Sequence, residues 1–419
     1  MIQASGIVPL TLGRDEKSIR KVKMHIGIAS PLDTNLLRNL VDIPKHIQCT
    51  AVVPYISLLI EEIVKQGHEV SVYTFSFDVD KTKVYIGSGL KLYISPMRKR
   101  VRELGLSFYK TERLIMKEVI EGDDPEIVHA HWTYEYALAV TSTNKTHVVT
   151  AHDAPWGVLR YQMDPFRVIK LLMAYRVSFT ARHMTAVSPF TAKQWKTLML
   201  YRGTIEIIGN GLPEKMFYNP VNVEKESTQS EITQKFILAS INVGWGRRKN
   251  SRSLIKAFRE VRSIFPNASL LLFGADHGEG ESAHEWAKDN GLEKGINFLG
   301  VKKHDFIMET LKKDVDLYVH PARQEQCALA ILEAMSVGVP IIGGKNSGGV
   351  PWQLGYGKYG TLVNVNSPRA ISEKIIEILM DKKSLQHLSA QAYNGCKAQF
   401  SIENVAKKYV SIYRSILST

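Results

Sequence analysis

The 419-residue sequence has little cysteine and no long apolar run. Its three cysteines, Cys49, Cys327 and Cys396, are scattered, so their spacing predicts neither a disulfide framework nor a zinc site and is typical of a reducing compartment. No apolar stretch approaches the roughly 18–20 residues that cross a bilayer. Residues 1–22 are polar and carry both charge signs, unlike a secretory leader. We therefore expect a cytoplasmic protein with a loosely ordered extension at 1–22.

Several catalytic signatures are also missing from the chain. There is no P-loop, no Gly-x-Ser-x-Gly elbow and no dinucleotide fingerprint after the first predicted strand, which counts against an NTPase, a hydrolase of that type and an oxidoreductase. Asp78-Val79-Asp80 and Asp314-Val315-Asp316 spell Asp-x-Asp, but the first follows a strand end and the second leads into a strand core, so we expect no metal at either. Aromatic runs typical of RNA-binding domains are absent, and we predict no nucleic-acid partner.

Acidic residues are outnumbered, since 54 Lys and Arg stand against 41 Asp and Glu, a net charge of +13. Such a charge favours anionic partners, including diphosphates and anionic lipid. Part of it is concentrated in one basic segment of the first half: Arg98, Lys99, Arg100, Arg102, Lys110, Arg113 and Lys117. This segment predicts either a solvated helix face or a contact with an anionic membrane surface.

Apolar patterns alternate between strand and helix along the whole chain. The first half opens with a strand at 24–29, a helix at 52–66 and a strand at 69–75, which is a βαβ unit of a parallel sheet. Further elements follow the same order: a basic helix at 101–121, strands at 125–131 and 147–153, a helix at 168–179, and strands at 184–187 and 204–208. The fold class predicted is α/β with parallel sheets.

A polar run at 218–235 predicts a linker, after which the pattern restarts. Strands are expected at 236–241, 270–273, 296–300 and 316–319, and helices at 254–264, 328–337, 368–380, 385–399 and 402–417. The first domain is thus expected at 23–217 and the second at 236–401, followed by a last helix at 402–419. A chain of this length can form two cores.

The stretch 320–335 carries the richest chemistry. A buried strand ends at His320, a tight loop holds Glu325, and a helix that carries Glu333 follows. Ligands of open α/β sheets bind at the carboxyl ends of strands, and free amides at a helix N-terminus favour phosphate. A second loop, with Arg247, Arg248 and Lys249, also lies between a strand and a helix, where its cations suit a diphosphate.

These motifs resemble the donor site of retaining GT-B glycosyltransferases of family 4. The resemblance rests on Glu325-x7-Glu333, on Ala334-Met335 with Gly338-Val339-Pro340-Ile341, and on Gly348-Gly349-Val350-Pro351. It implies two Rossmann-like domains that face each other across a cleft, with the last helix crossing back to the first domain. Gln326-Cys327-Ala328 stand where the family has Gly-Phe-Gly, and Trp352 where it has Glu.

The resemblance also implies roles for individual residues. Glu325 would lie against the donor sugar and Glu333 would hold the ribose, while Lys249 and either Arg247 or Arg248 would neutralise the diphosphate. Two strands end in histidine at one sheet edge, so His131 and His152 are expected in the cleft, His152 near the transferred sugar. The full set is: catalytic Glu325, His152, Lys249 and Arg248; donor-binding Glu333, Arg247, Gly244, Gln326, Cys327, Ala328, Leu329, Gly274 and Gly300; acceptor-side His131 and Asp153.

The function expected is a retaining, metal-independent sugar transfer from a nucleotide sugar to a glycan or lipid-linked acceptor, in cell-envelope synthesis. No cofactor is expected beyond the donor itself, and the basic first domain suggests peripheral contact at the inner face of the membrane. Two alternatives stay open. One is transfer to a small soluble acceptor, and the other is a catalytically silent nucleotide-sugar-binding protein, suggested by Gln326, Cys327 and Trp352.

Overall fold

The computed structural model describes residues 23–219 and 235–419. The extension predicted at 1–22 and nearly all of the linker predicted at 218–235 lie outside the described residues. The described chain forms two α/β halves, each built on a parallel sheet. None of its helices is long and apolar enough to cross a membrane.

The first half is built on an eight-stranded sheet in the order β3-β4-β2-β1-β5-β6-β7-β8. Every neighbouring pair is parallel except β3 and β4, which form an antiparallel hairpin at one edge. The strands are β1 His25–Ala29, β2 Glu69–Ser76, β3 Lys83–Ile86, β4 Leu90–Pro96, β5 Ile127–His131, β6 His147–Ala151, β7 His183–Ala186 and β8 Ile205–Ile207.

Seven α-helices connect these strands and cover the sheet. They are α1 Pro54–Lys65, α2 Val101–Leu106, α3 Lys110–Asp123, α4 Glu135–Val140, α5 Pro155–Tyr161, α6 Pro165–Thr180 and α7 Pro189–Thr197. Helix α7 is capped by Ser188, whose side chain accepts a hydrogen bond from the Thr191 amide, and proline occupies its first turn.

The single basic helix predicted at 101–121 is wrong, because two helices occupy this segment. The break falls at Phe108 and Tyr109, whose φ angles of 48° and 57° are left-handed and incompatible with a continuing helix. Tyr109 is buried, and the ammonium of Lys170 lies 4.5 Å from the centre of its ring. Neither left-handed residue is a glycine or a proline, and Gly105 lies inside α2, so the local sequence does not signal the bend at its position.

The second half is a six-stranded, wholly parallel sheet in the order β11-β10-β9-β12-β13-β14. Its strands are β9 Ile237–Ile241, β10 Ser269–Phe273, β11 Ile296–Gly300, β12 Leu317–His320, β13 Ile341–Gly344 and β14 Thr361–Val363. Its helices are α8 Ser251–Ile264, α9 Ser282–Asp289, α10 His304–Lys313, α11 Leu329–Ser336, α12 Val350–Gln353, α13 Pro368–Met380 and α14 Lys382–Phe400.

The last helix, α15 at Ile402–Leu417, crosses back to the first half as expected. It packs against α1, and its buried face joins the apolar core of the first sheet through Tyr409 and Tyr413. The Tyr413 hydroxyl lies 2.6 Å from Nδ1 of the buried His129, in the middle of β5. The C-terminal helix, which follows the second half in the chain, is therefore part of the core of the first half.

The crossing between the halves is tightly packed around Gly209. A Cβ atom at Gly209 would lie 2.8 Å from the ring of Phe400 and 2.9 Å from that of Trp352. These two rings meet edge to face, with centroids 5.3 Å apart. Trp352, which stands where the family has Glu, thus packs at the junction of the two halves.

We predict that Tyr413→Phe destabilises the protein by about 1–3 kcal/mol, because it leaves the buried His129 nitrogen without its hydroxyl partner. Urea denaturation measures the change in the free energy of unfolding. Tyr356→Phe is the matched control, since Tyr356 is 70% exposed. Equal midpoints for the two variants would contradict this role of Tyr413.

Candidate functional site

Two loops at the carboxyl ends of β9 and β12 meet through a charge cluster. Glu325 accepts from the Lys249 ammonium at 2.6 Å through Oε1 and from the Arg248 guanidinium at 3.1 Å through Oε2. Arg248 Nη1 also donates to the carbonyl of Gln324 at 3.1 Å. The structure thus brings together the acid of one loop and the cations of the other.

Glu325 is buried and nevertheless ionised. Burial alone would raise its pKa, but the neighbouring His320 imidazole and the charges of Lys249 and Arg248 outweigh it and hold the pKa well below the usual range. His320 is itself buried, and its Nε2 lies 3.6 Å from Oε1 of the carboxylate. Removing one partner of a buried ion pair costs about 3–5 kcal/mol, so this cluster fixes both loops.

The Gly348-Gly349 turn holds the backbone of Glu325 in place. The Glu325 amide donates to the Ser347 carbonyl at 3.2 Å, and the Gly349 amide donates to the Glu325 carbonyl at 2.8 Å. Gly348 has φ of 69°, and a Cβ atom there would lie 2.3 Å from the Glu325 carbonyl oxygen. Only glycine fits at this position, which gives the Gly-Gly pair a structural reason.

The N-terminus of α11 differs in one respect from the prediction. The Ala328 amide, expected to face the cleft free, donates at 2.8 Å to the Gln353 side chain, which also donates at 3.0 Å to the Ala328 carbonyl. Along the described chain, the amides of Leu329, Ala330 and Ile331 have no acceptor. The helix thus offers amides from Leu329 onwards, while Ala328 is occupied and Cys327 contributes its carbonyl to Asn210 at 3.1 Å.

Glu333 lies one turn into α11, largely buried, and has a partner that sequence reasoning missed. His304 Nε2, at the start of α10, lies 3.0 Å from Glu333 Oε1. The hydrogen bond to Glu333 is the main reason that the pKa of His304 is raised above its ordinary value. No local pattern around residue 304 signals this pairing.

The predicted glycine turns lie beside this site at the ends of neighbouring strands. Gly274 follows β10 with φ of 106°, and a Cβ atom there would lie 1.8 Å from the Asn242 carbonyl oxygen, so only glycine is accommodated. Gly300 ends β11, and Gly244 lies in the loop after β9; both have positive φ angles of 64° and 90°. The three turns line one edge of the second sheet.

The two histidines predicted in the cleft contact each other on the side of the cleft that the first half forms. His131 Nδ1 lies 2.9 Å from His152 Nε2, and the Tyr55 hydroxyl lies 2.9 Å from His152 Nδ1. Burial, together with the neighbouring His129, lowers the pKa of His152 to about 3. His131 is likewise buried, and its pKa is well below the ordinary value. Both imidazoles are therefore neutral hydrogen-bonding groups near neutral pH.

Asp153 follows directly and is also held in place by its neighbours. Its Oδ2 accepts from the Tyr134 hydroxyl at 3.2 Å, and its carbonyl accepts from the Trp195 indole at 2.9 Å. Burial raises the pKa of Asp153 above its usual value. Tyr55, at the start of α1, was not foreseen as a site residue, because the sequence there shows only an amphipathic helix.

These groups line a shared cavity of about 430 Å³ between the two halves. The first half contributes Tyr55, His152 and Asp153, while the second contributes Arg248, Glu325, Gln326 and Cys327. Burial raises the pKa of the Cys327 thiol to about 12, so it is protonated in the ligand-free site. Arg247, the other candidate for the diphosphate, lines a different cavity.

The two Asp-x-Asp motifs have structural roles. Asp78 accepts from the Gln48 amide at 3.0 Å, and Asp316 accepts from the Ile237 amide at the start of β9 at 2.8 Å. Across residues 23–219 and 235–419 there is no group of three His, Cys, Asp or Glu side chains arranged to hold a metal ion.

Two parallel-sheet domains that face each other across a cleft define the GT-B class of glycosyltransferases, and solved structures agree. Sucrose-phosphate synthase from Thermosynechococcus elongatus superposes with a TM-score of 0.71 at 17% identity, over 94% of this chain and 100% of that one. WaaG, a glycosyltransferase involved in lipopolysaccharide biosynthesis, gives 0.63 at 16% identity, over 93% and 99%.

Family models match both halves of the chain. The model described as "Glycosyltransferase Family 4" matches residues 52–215, and that described as "Glycosyl transferases group 1" matches residues 222–395. The chain belongs to the group 1 glycosyltransferases of family 4 and is a glycosyltransferase.

Curated relatives extend along most of the chain. N-acetyl-alpha-D-glucosaminyl L-malate synthase of Bacillus anthracis is 24% identical over 85% of this chain and 92% of its own length. A GDP-mannose-dependent monoacylated alpha-(1-6)-phosphatidylinositol monomannoside mannosyltransferase of Corynebacterium glutamicum is 27% identical over 63% of this chain and 68% of its own length.

We predict that the protein becomes less stable as pH decreases, because its buried histidines are neutral in the folded state. The pKa of His129 and of His152 is lowered to about 3 in the folded chain, against 6.5 for a free side chain. Below pH 6.5 the unfolded chain therefore binds more protons, so the free energy of unfolding decreases as pH falls from 6.5 towards 3. At pH 5 the loss is on the order of 1–2 kcal/mol for each histidine.

Urea denaturation at pH 8 and pH 5 measures this loss. In His152→Gln, the glutamine amide can still bond to His131 and Tyr55. This variant is expected to lack the part of the pH-dependent stability loss that His152 contributes. His387→Gln, at an exposed helical position, is expected to keep the full pH dependence. A His152→Gln variant with the unchanged pH dependence would contradict the prediction.

Proposed function

We propose that this glycosyltransferase moves a sugar from a nucleotide-sugar donor to a glycan or lipid-linked acceptor of the cell envelope. Transfer proceeds with retention at the anomeric carbon and without a metal ion. The single observation that carries the proposal is the contact of the buried Glu325 carboxylate with both Lys249 and Arg248 at the cleft. Acid and cations from two loops meet at the edge where α/β sheets bind their ligands.

The donor diphosphate is proposed to bind between Lys249, Arg248 and the free amides at the start of α11. The departing diphosphate gains negative charge as the sugar–oxygen bond breaks. One preorganised donor aimed at such charge is worth about 3–4 kcal/mol in the transition state, whereas a helix dipole is worth up to about 2 kcal/mol. The two cations therefore supply much of the stabilisation.

The Glu325 carboxylate is proposed to change its interaction partners when the donor binds. In the ligand-free site its carboxylate neutralises the two cations. A bound diphosphate would compete for the same cations and release the carboxylate towards the donor sugar, where it supports positive charge at the anomeric carbon. Glu333, oriented by His304, is proposed to hold the ribose hydroxyls.

The acceptor is proposed to attack from the face that the diphosphate leaves. The sugar–phosphate bond breaks, the bond to the acceptor oxygen forms on the same face, and the departing phosphate oxygen takes the acceptor proton. His152, held as a neutral group by Tyr55 and His131, is proposed to form part of the cavity wall beside the reacting sugar. Closure of the two halves would exclude water and limit donor hydrolysis.

A membrane-bound acceptor is supported by one face of the first half. Gly105 of α2 lies against Ile169 of α6, and beside this contact Leu106, Val168 and Leu172 are exposed. Two basic side chains, Lys99 just before α2 and Arg102 within it, are also exposed, and each basic residue near an anionic surface contributes about 1 kcal/mol. Arg98 does not belong to this face, because its guanidinium donates to the Glu112 carboxylate through Nε at 2.7 Å and through Nη2 at 2.8 Å.

Relatives named for their activity favour an envelope or lipid-linked acceptor. Besides the mannosyltransferase above, a phosphatidylinositol N-acetylglucosaminyltransferase component of Arabidopsis thaliana is 23% identical over 86% of this chain. Transfer to a small soluble acceptor is the second candidate, and the glucosaminyl L-malate synthase favours it. A silent binding protein is the third, because Gln326 and Cys327 line the cavity beside Glu325.

Glu325→Gln and Lys249→Ala are predicted to have opposite effects on nucleotide binding. Glu325→Gln leaves the two cations without their acid, so UDP or GDP is expected to bind as tightly or severalfold more tightly, while turnover falls at least about 100-fold. Lys249→Ala is expected to weaken nucleotide binding at least about tenfold. Calorimetry measures binding, and nucleotide release from donor sugars measures turnover.

Glu309→Gln, on the exposed side of α10, is the control for these variants and is expected to change neither quantity. Unchanged turnover in Glu325→Gln and Lys249→Ala would overturn the site. Nucleotide binding without any release of nucleotide in the unmodified chain would favour the silent binding protein.

We predict that Lys99→Glu combined with Arg102→Glu reduces binding to vesicles of anionic phospholipid at least about tenfold, because attraction becomes repulsion at the exposed face. Vesicle flotation at low and at high salt measures binding. The control is Lys288→Glu with Lys294→Glu, on the second half. The membrane assignment would be contradicted if the wild-type chain did not bind anionic vesicles and yet glycosylated a soluble acceptor.

A further inference from the structure

A second cavity adjoins the cavity that contains Glu325. It measures about 790 Å³ and shares Tyr161 and Gln324 with the cavity that holds Glu325. Three arginines line it, namely Arg160 in the last turn of α5, Arg247 in the β9–α8 loop and Arg323 in the β12–α11 loop. No aspartate or glutamate of the described residues lines it. Nothing in the function proposed above uses these three side chains.

The arginines have no counter-charge of their own. In the described part of the chain, none of the three forms an ion pair, whereas the adjacent Arg248 is paired with Glu325. Arg323 Nε is buried and has no acceptor there. A guanidinium N–H that is removed from water without a partner costs free energy, and such groups are rare in folded proteins. An anionic oxygen is the group that would satisfy it.

The cavity is also held in a fixed shape. The Arg323 amide donates to the Arg248 carbonyl at 2.8 Å, so the arginine of the cavity and the arginine of the charge cluster are joined through the backbone. Gly348, which fixes Glu325, and Phe190 of α7 line the cavity next to each other, since a Cβ atom at Gly348 would lie 3.2 Å from the Phe190 ring. Both halves of the molecule contribute, so the cavity exists only when they lie together as they do here.

We propose that this arginine cavity binds an anionic group, phosphate or carboxylate, of the acceptor. The inference rests on the proposed function, since it assumes that the donor sugar lies at Glu325. An acceptor that spans the two connected cavities would place its anionic group among Arg160, Arg247 and Arg323 and its reacting hydroxyl beside Glu325. Amides of Gln194, Asn346 and Asn366 offer further hydrogen bonds to the same group.

The first test titrates inorganic phosphate and malate into the full chain and follows binding by calorimetry. Arg323→Gln and Arg160→Gln are each expected to weaken binding of these anions at least tenfold. Arg259→Gln, an exposed arginine on α8, is the matched control and is expected to bind as the unmodified chain does. Lys249→Ala separates this cavity from the donor site, because it is expected to weaken UDP or GDP and to leave this anion site in place.

Anion binding that survives Arg323→Gln and Arg160→Gln, or that disappears in Lys249→Ala, would overturn the proposal without touching the donor site. No anion binding at millimolar concentration would overturn it as well. Failure of the proposed function has a separate sign, which is a nucleotide affinity that Lys249→Ala leaves unchanged.

A second test asks which substrate carries the anion. Binding of UDP-glucose and of UDP-glucuronate is compared in the unmodified chain and in Arg323→Gln. If the acceptor carries the anion, the variant is expected to change both affinities by less than twofold. Selective loss of UDP-glucuronate binding by tenfold or more would assign the cavity to the donor sugar and overturn the acceptor assignment.

Discussion

The structure of the cleft depends on one constraint, which is that the buried Glu325 carboxylate must be matched by positive charge. Lys249 and Arg248 supply it from a loop about 75 residues earlier in the chain. An unpaired charge at this depth would cost several kcal/mol, so neither loop can move independently of the other. Gly348 and Gly349 add backbone bonds around Glu325 from a third loop. Three strand ends are thereby drawn to one point on the sheet edge.

The elements with strong local signals could be predicted from the sequence. Helices α13 and α15 begin and end where the pattern placed them, because Ser367 and Ser401 cap their N-termini. The edge hairpin of β3 and β4 was missed, since β3 is a four-residue strand that is only half-buried. The break between α2 and α3 was missed because tertiary packing of Tyr109, and not a local breaker residue, imposes it.

In the candidate site, too, some features could be predicted from the sequence, whereas others depend on tertiary contacts. The resemblance placed Glu325 and Lys249 in one donor site, and loops after neighbouring strands of a parallel sheet lie at one edge, but the ion pair between the two side chains was not predicted. The occupation of the Ala328 amide by Gln353 could not be foreseen, since it depends on a short helix that returns to the same place. Tyr55 and His304 were missed for the same reason, because their partners, His152 and Glu333, are distant in the sequence. Arg323 was missed because it lines a cavity that is formed by residues of both halves.

With the donor bound as proposed, the ion pairs of the ligand-free site would favour catalysis rather than oppose it. A diphosphate carries more negative charge than one carboxylate, so it can displace Glu325 from Lys249 and Arg248. The displaced carboxylate then lies in a poorly hydrated cavity, where charge interactions are stronger than in water. Its most favourable new partner is the positive charge that develops on the sugar as the diphosphate leaves. We infer that donor binding converts a stabilising ion pair into transition-state stabilisation, through an exchange of partners among side chains that the fold already holds in place.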